Sequence, residues 1–257
     1  MTAQKRLVVR NLSVEFGGVH AVEDVSFDVE PGEVFAIIGP NGAGKSTIFN
    51  LVSRLYEPTN GSISYGEKDL LALRAHQVVE AGIARTFQNI ELFEHATVLQ
   101  NLLVGRHRHM RPNPLRHFLF WPGARQEEVE HRRKVEDIID LMEIAQYRDE
   151  RISDLPYGAR KNVELARALC ADPTLLLLDE PASGLNTEET DDVSFWLEDI
   201  KHDLGITIVM VEHDMNLVSR VADRVMAINN GRLIAIGTPD EIRNHPEVQR
   251  AYLGVAA

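Results

Sequence analysis

Residues 33–52 of the chain read Glu-Val-Phe-Ala-Ile-Ile, then Gly-Pro-Asn-Gly-Ala-Gly-Lys-Ser, then Thr-Ile-Phe-Asn-Leu-Val. The middle part, Gly39–Ser46, is a complete G-x-x-x-x-G-K-S pattern between an apolar run and a helical pattern. A strand, a glycine-rich turn and a helix start in this order direct several backbone N–H groups and the positive end of the helix dipole at one point. The stretch therefore predicts a phosphate loop that binds a nucleoside triphosphate.

Individual residues of this loop have predicted roles. Gly42 and Gly44 let the backbone approach phosphate because neither has a Cβ. Lys45 can reach the β- and γ-phosphates, and the Ser46 hydroxyl can coordinate Mg²⁺. The alternative, a glycine-rich turn with a solvated lysine, does not explain the matching strand and helix. The residues predicted to bind the nucleotide are Gly39, Pro40, Asn41, Gly42, Ala43, Gly44, Lys45, Ser46 and Thr47.

The composition narrows the classes of protein. The 257 residues are enough for one large domain or two modest ones. With 39 acidic and 27 basic residues, the net charge of −12 disfavours nucleic acid as the main partner, because phosphate backbones require a basic face. No run approaches the roughly 18 apolar residues of a membrane-spanning helix. Cys170 is the only cysteine, so no internal disulfide can form, and the sequence indicates a soluble cytosolic protein.

The strand and helix patterns predict an α/β fold. Three β-rich segments within residues 6–38 come first, and the alternation in Val25–Val29 indicates a half-buried antiparallel strand. Residues 89–170 are helical and highly charged, and the strands after them alternate with helices, as in a largely parallel sheet covered on both faces. We therefore expect one nucleotide-binding domain, with a core from residues 1–88 and 171–257 and a helical subdomain at 89–170.

Two acidic side chains follow a later apolar run. Leu175–Leu178 ends in Asp179 and Glu180, and the carboxyl edge of the sheet is also where the phosphate loop lies. Asp179 is predicted to hold Mg²⁺ opposite Ser46, and Glu180 to accept a proton from the water that attacks the γ-phosphate. A strand end capped by two solvated acids is the alternative.

Two further polar residues are candidates from their positions. His213, directly after the apolar run Ile206–Val211, can hydrogen-bond the γ-phosphate and hold the attacking water, although a histidine at a strand end is often structural. Gln88 lies where the core meets the helical insertion, so it could sense both the metal and a partner.

Taken in order, these motifs resemble those of the ATP-binding subunits of ABC transporters over nearly the whole chain. The resemblance implies that Gly39–Ser46 is a Walker A motif, that Leu175–Asp179 is a Walker B motif and that Glu180 is the catalytic glutamate. It further implies a catalytic and metal-sensing Q-loop glutamine at Gln88 and a switch histidine at His213. The implied cofactors are ATP and Mg²⁺, and the implied fold is a phosphate-loop ATPase core with an antiparallel β subdomain and a helical subdomain.

The same resemblance assigns an adenine contact and a signature motif. Phe16 stands where the family stacks an aromatic ring on adenine, with Val22 packing alongside. The signature, usually Leu-Ser-Gly-Gly-Gln, has a proline at the serine position, which removes a hydroxyl and an N–H that would face the γ-phosphate on the opposing subunit. The helix that follows should still point its dipole at that phosphate. A later family aspartate is replaced by Asn186. The residues of the predicted signature are Leu155, Pro156, Tyr157, Gly158 and Ala159.

This variant signature indicates a subfamily. Together with Arg85–Asn89 and the C-terminal run His245–Gly254, it resembles the ATPases of branched-chain amino acid importers and of their relatives for urea and short amides. In that subfamily a second, different ATP-binding subunit, two integral-membrane permeases and a periplasmic solute-binding protein complete the assembly. A homodimer is the alternative. The chain is then expected on the cytoplasmic face of the bacterial inner membrane, as a peripheral protein.

Other classes agree less well with the motifs. A lipid or lipopolysaccharide exporter ATPase would be expected to keep the usual signature, and soluble ABC ATPases generally carry tandem cassettes or long insertions. A phosphate-loop kinase or GTPase would leave Gln88, His213 and Leu155–Ala159 unexplained.

The segment Gly105–Arg125 is basic and aromatic in an otherwise acidic chain. It is either a surface facing the permease or the anionic inner leaflet, or an ordinary loop whose aromatic rings pack under the helical subdomain. The sequence leaves both interpretations open.

Overall fold

The computed structural model describes residues 5–87, 90–109 and 122–253. The chain divides into two compact units. One is built from the chain up to Arg85 and from Thr174 onward, and the other from Thr86 to Pro173.

The strands of the described residues all lie in the first unit and form two sheets. They are β1 (Leu7–Phe16), β2 (Val19–Val29), β3 (Val34–Ile38), β4 (Asn60–Tyr65), β5 (Lys68–Asp69), β6 (Ile83–Arg85), β7 (Leu175–Asp179), β8 (Thr207–Val211), β9 (Arg224–Asn229) and β10 (Arg232–Gly237). The smaller sheet has the order β2-β1-β4-β5 and is antiparallel. The larger sheet has the order β10-β9-β3-β8-β7-β6 and is parallel except at β9–β10.

The central strands explain why the larger sheet is parallel. Every residue of β3, β7 and β8 is buried, because apolar runs of this kind are stable only when both faces of the sheet are covered. Side chains from both sheets, such as Val9, Phe27 and Ile37, form one hydrophobic core with Phe49 after the phosphate loop. The predicted α/β class, with its antiparallel β part, is confirmed.

Helices cover the larger sheet and build the second unit. In chain order they are α1 (Lys45–Val52), α2 (Ala75–Glu80), α3 (Val98–Gly105), α4 (Pro122–Leu141), α5 (Tyr157–Leu169), α6 (Thr187–His202), α7 (Met215–Val221), α8 (Pro239–Arg243) and α9 (Pro246–Leu253). None of the helices in the described part of the chain is both long and apolar enough to span a bilayer.

The second unit is helical, as its charge and periodicity predict. Val135, Ile139 and Met142 are buried, whereas Val129 on α4 is 59% exposed. α4 ends at Leu141, shortly before Glu143, whose left-handed φ of 52° cannot continue an α-helix. Cys170 is buried, and this burial raises the pKa of its thiol to about 12.

Candidate active site

Three neighbouring strand ends bring the predicted site residues of the first unit together. In the sheet order β3-β8-β7, Ile37 pairs with Val211 and Val211 pairs with Asp179, all in parallel register. The phosphate loop follows β3, His213 follows β8, and Glu180 follows β7, so the three groups share the carboxyl edge of the sheet. The Glu180 N–H donates to the Val211 carbonyl at 2.9 Å, which holds the two later loops side by side.

Two glycines of the phosphate loop are required by its packing on the fold. Gly44 has a φ of 102°, and a Cβ there would lie 2.5 Å from the Ala21 carbonyl oxygen on β2. A Cβ at Gly39 would lie 2.3 Å from the Ile228 carbonyl oxygen on β9. The sequence analysis explained the glycine at position 44 only by the close approach of the backbone to phosphate. In the structure both positions also let the loop sit directly on neighbouring strands.

Lys45 is held inside the loop. Only 7% of it is exposed, and its Nζ donates to the carbonyl oxygens of Gly39 at 2.6 Å and Pro40 at 3.0 Å. Burial lowers the pKa of Lys45, while the nearby carboxylates of Glu180 and Asp179 act in the opposite direction. The ammonium therefore lies at the loop with strand-end acids close enough to influence it.

Asp179 is buried and paired with Arg85, which the sequence analysis named only as part of the run Arg85–Asn89 and without a role of its own. Its Oδ2 lies 3.0 Å from Nη2 of Arg85, and the side chains are 4% and 10% exposed. Arg85 also donates to Asn50 Oδ1 at 2.7 Å and to Ser53 Oγ at 2.8 Å, both on or beside α1. Burial raises the pKa of Asp179, and the Arg85 charge opposes that rise.

Glu180 and His213 present their side chains differently from Asp179. Glu180 is half-buried and has a φ of 51°, a left-handed conformation that costs a non-glycine residue of order 1–3 kcal/mol and is often found at active sites. The side chain of His213 is 59% exposed. Both residues therefore lie where a bound substrate could reach them.

The predicted adenine contacts separate into an exposed and a buried residue. The Phe16 ring is 46% exposed and meets the Tyr56 ring edge-on, with centroids 5.2 Å apart and planes at 69°. Val22 is fully buried, and its Cγ2 would lie 3.5 Å from a Cβ on Gly44. Val22 thus lies against the phosphate loop, and its predicted packing beside adenine stays a prediction. Tyr56, which the sequence analysis missed, stands beside Phe16.

A C-terminal residue also lies near the phosphate loop. Burial raises the pKa of Tyr252 on α9 to about 12, and the nearby backbone of Gly39, where the loop begins, opposes that rise. The sequence singled out this region for its likeness to a subfamily, without a role for the tyrosine.

The signature residues belong to the second unit. Pro156 is the N-cap of α5 and supplies no side-chain cap, Tyr157 is 48% exposed, and Leu155, Gly158 and Ala159 are buried. In the first unit, Asn186 is the N-cap of α6 and its Oδ1 accepts from the Glu189 N–H at 3.0 Å. An asparagine caps as well as the aspartate that it replaces.

Two predictions concern residues outside the described part of the chain. Gln88 falls in the gap at 88–89, and most of the basic and aromatic segment Gly105–Arg125 falls in the gap at 110–121. Both stay predictions.

A phosphate loop, a buried strand-end aspartate and a neighbouring glutamate and histidine on an α/β sheet define a phosphate-loop nucleoside triphosphatase. The model of the family described as "ABC transporter" matches residues 22–183, and that described as "Branched-chain amino acid ATP-binding cassette transporter" matches residues 232–257. The chain belongs to the ATP-binding cassette family of ABC transporters.

Relatives and solved structures agree with this assignment. The chain is 38% identical to the high-affinity branched-chain amino acid transport ATP-binding protein BraF of Pseudomonas aeruginosa, over 97% of this chain and 98% of the relative. It is also 38% identical to LivG of Salmonella typhimurium, of the same description, over 99% and 100%. Among solved structures, the ADP conformation of MJ1267, an ATP-binding cassette of an ABC transporter, is similar with a TM-score of 0.85 and 30% identity, over 98% and 100%. The family predicted from the sequence is confirmed.

Proposed function

We propose that this chain hydrolyses ATP to power an importer of branched-chain amino acids. The observation that carries the ATPase part is the juxtaposition of the phosphate loop, Glu180 and His213 on three adjacent parallel strands. The solute is supported by the names of the relatives, at 38% identity over nearly the full length, and by the family match at residues 232–257.

In the proposed reaction, the oxygen of a water forms a bond to the γ-phosphorus as the bond from that phosphorus to the β–γ bridging oxygen breaks. Glu180 accepts the water's proton, and His213 holds the water and the γ-phosphate. The backbone N–H groups of Gly42–Thr47 and the Lys45 ammonium neutralise the charge on the phosphates. ADP leaves with the bridging oxygen, and inorganic phosphate is released.

The donor set suits Mg²⁺ as the accompanying ion. Asp179 supplies a buried carboxylate and Ser46 an exposed hydroxyl on the first turn of α1, and Mg²⁺ prefers such oxygen ligands. Within the described ranges, no group of three or more His, Cys, Asp or Glu could cage a metal. This agrees with an ion that arrives with the phosphates, where it would neutralise charge on the β- and γ-oxygens.

The assembly proposed is that of the subfamily which the sequence resembles. Two permease subunits would lie in the inner membrane, and this chain would bind them from the cytoplasm beside a second ATP-binding subunit. A different partner ATPase is favoured over a second copy, because the altered Leu155–Ala159 signature would leave one half-site weak in a heterodimer and both weak in a homodimer. The solute would be delivered by a periplasmic binding protein.

Phe16→Ala is expected to weaken ATP binding. Stacking of a base on an aromatic ring contributes about 1–3 kcal/mol, so the Kd should rise roughly five- to 150-fold. Equilibrium titration with ATP under non-hydrolysing conditions measures this. Phe195→Ala, which removes a 61% exposed ring on α6, is the matched control and should leave the Kd unchanged. Equal affinities for both variants would rule out the stacking role.

Pro156→Ser is expected to raise the ATPase rate or stabilise the closed dimer. The added hydroxyl can donate to the γ-phosphate across the dimer, a charge-assisted hydrogen bond of about 1.5–3 kcal/mol. It can also cap α5, which at present lacks a side-chain cap. Turnover and the dimer population with ATP are the measurements. Pro156→Ala restores the N–H without the hydroxyl and separates the two effects; if serine leaves both quantities as they are, the signature proposal is wrong.

The transport proposal is tested by isolating the assembly. Glu180→Gln protein is purified from native membranes with ATP and Mg²⁺ in mild detergent, and its partners are identified. Two polytopic permeases and a second ATPase support the importer, and stimulation of wild-type turnover by a leucine-loaded binding protein identifies the solute. Stimulation by urea or a short amide instead would assign the importer to that class of solute. Soluble partners alone would refute the transporter role.

A further inference from the structure

The side chain of Glu212 is fully buried at the carboxyl end of β8, directly before His213. Across residues 5–87, 90–109 and 122–253, the structure gives it no lysine or arginine partner, and the nearest cationic candidate is His213 Nδ1 at 3.9 Å. Burying a carboxyl group without a cation is costly unless hydrogen bonds satisfy its oxygens. The hydrogen bonds that Glu212 accepts must therefore offset the cost of burying its carboxyl group.

Both oxygens of Glu212 accept from backbone groups. Oε1 accepts from the Ala182 N–H at 2.9 Å, while Oε2 accepts from the N–H groups of His213 at 3.0 Å and Asp214 at 3.4 Å. Ala182 lies in the turn that starts at Glu180, whose carbonyl accepts from the Ser183 N–H at 3.1 Å. One buried side chain thus joins the loop after β7 to the loop after β8.

The backbone around Glu212 fixes this junction to the rest of the site. Its N–H donates to the Ile37 carbonyl at 3.3 Å, on the strand that leads into the phosphate loop. Glu180, with its left-handed φ of 51°, donates its own N–H to Val211. A non-glycine residue keeps such a conformation only when its surroundings enforce it, and the Ala182 bond lies two residues away.

We propose that Glu212 is a positioning residue for ATP hydrolysis, which orients His213 and Glu180 relative to each other without touching the nucleotide. The inference rests on the proposed roles of those two residues. The phosphate loop is held by contacts of its own, such as those of Lys45 to Gly39 and Pro40. Loss of the Glu212 carboxylate should therefore slow the chemical step and spare ATP binding.

The test is Glu212→Gln in the full-length chain, with its transporter partners where turnover requires them. The NH₂ group of the new glutamine side chain would face backbone N–H donors where a Glu212 oxygen accepts from them now. This repulsion should shift the loops after β7 and β8 relative to each other. We expect kcat to fall about 10- to 100-fold, the scale of a misplaced catalytic group, with KM for ATP within about threefold. The matched control is Glu33→Gln, the same change at a 9% exposed glutamate beside the start of β3, at the opposite edge of the sheet. It should retain full kcat.

A double-mutant cycle separates positioning from general destabilisation. In the His213→Ala background, Glu212→Gln should lower kcat less than about threefold, because residues that act as a unit are not additive. The inference is overturned if Glu212→Gln alone leaves kcat unchanged, or if it lowers kcat equally in the wild-type and His213→Ala backgrounds. In either case an active wild-type protein leaves the proposed function intact. An inactive wild type would instead refute the proposed function. If the glutamine variant does not fold, Glu212→Asp replaces it in the test, because aspartate keeps the charge but is one methylene shorter. For this variant too, kcat should fall while KM for ATP stays nearly unchanged.

Discussion

Glu180→Gln is expected to lower ATP turnover by about 10²–10⁴-fold, the usual contribution of a general base, while ATP binding stays within about twofold. Glutamine has nearly the shape of glutamate, so the turn after β7 should be kept, but the amide cannot accept the proton of the attacking water. Single-turnover hydrolysis measures the chemical step, and equilibrium titration with ATP measures binding.

Glu198→Gln provides the matched control for that prediction. Glu198 is an exposed glutamate on α6, in the same unit but away from the strand ends, so the same chemical change should leave turnover unaffected. Near-normal turnover in Glu180→Gln would remove Glu180 as the base. A loss of binding as large as the loss of turnover would assign it a structural role.

Local sequence patterns were sufficient to predict the fold and to predict that the phosphate loop, Asp179 and His213 lie at one edge of the sheet. The phosphate loop follows β3, Asp179 is the last residue of β7, and His213 comes two residues after β8, so their positions could be predicted from a few adjacent residues. The carboxyl edge of a parallel sheet then brings such residues together without further information. This is why the order of motifs along the chain predicted a site that the structure assembles on β3, β8 and β7.

The residues that support the site could not be predicted in this way. Arg85 pairs with Asp179 across 94 positions, and Glu212 reaches Ala182 across 30. No periodicity links such positions. Arg85 also ends β6, whose three residues are too short to show alternation.

Arg85→Ala is expected to lower the free energy of unfolding by about 3–5 kcal/mol, the cost of removing one partner of a buried ion pair. It would leave the carboxylate of Asp179, 4% exposed, without its guanidinium, and would also remove the hydrogen bonds to Asn50 and Ser53. At roughly 2–4 °C per kcal/mol for a chain of this size, the midpoint of thermal unfolding should fall by about 6–20 °C. Calorimetry or denaturant unfolding of the full-length protein measures the loss.

The exposed pair Arg220–Asp191 is the control that separates the effect of burial from that of losing an ion pair. Its N–O distance of 2.6 Å is shorter than the 3.0 Å of Arg85–Asp179, yet its side chains are 49% and 48% exposed. Since water screens exposed charges, Arg220→Ala should cost no more than about 1 kcal/mol. If both variants lose the same small amount, burial is not what makes Arg85 important. If only Arg85→Ala is destabilised, the stability of the fold depends on the arginine that neutralises Asp179, the predicted magnesium ligand. The hydrogen bonds of Arg85 to Asn50 and Ser53 then connect Asp179 to the helix that follows the phosphate loop.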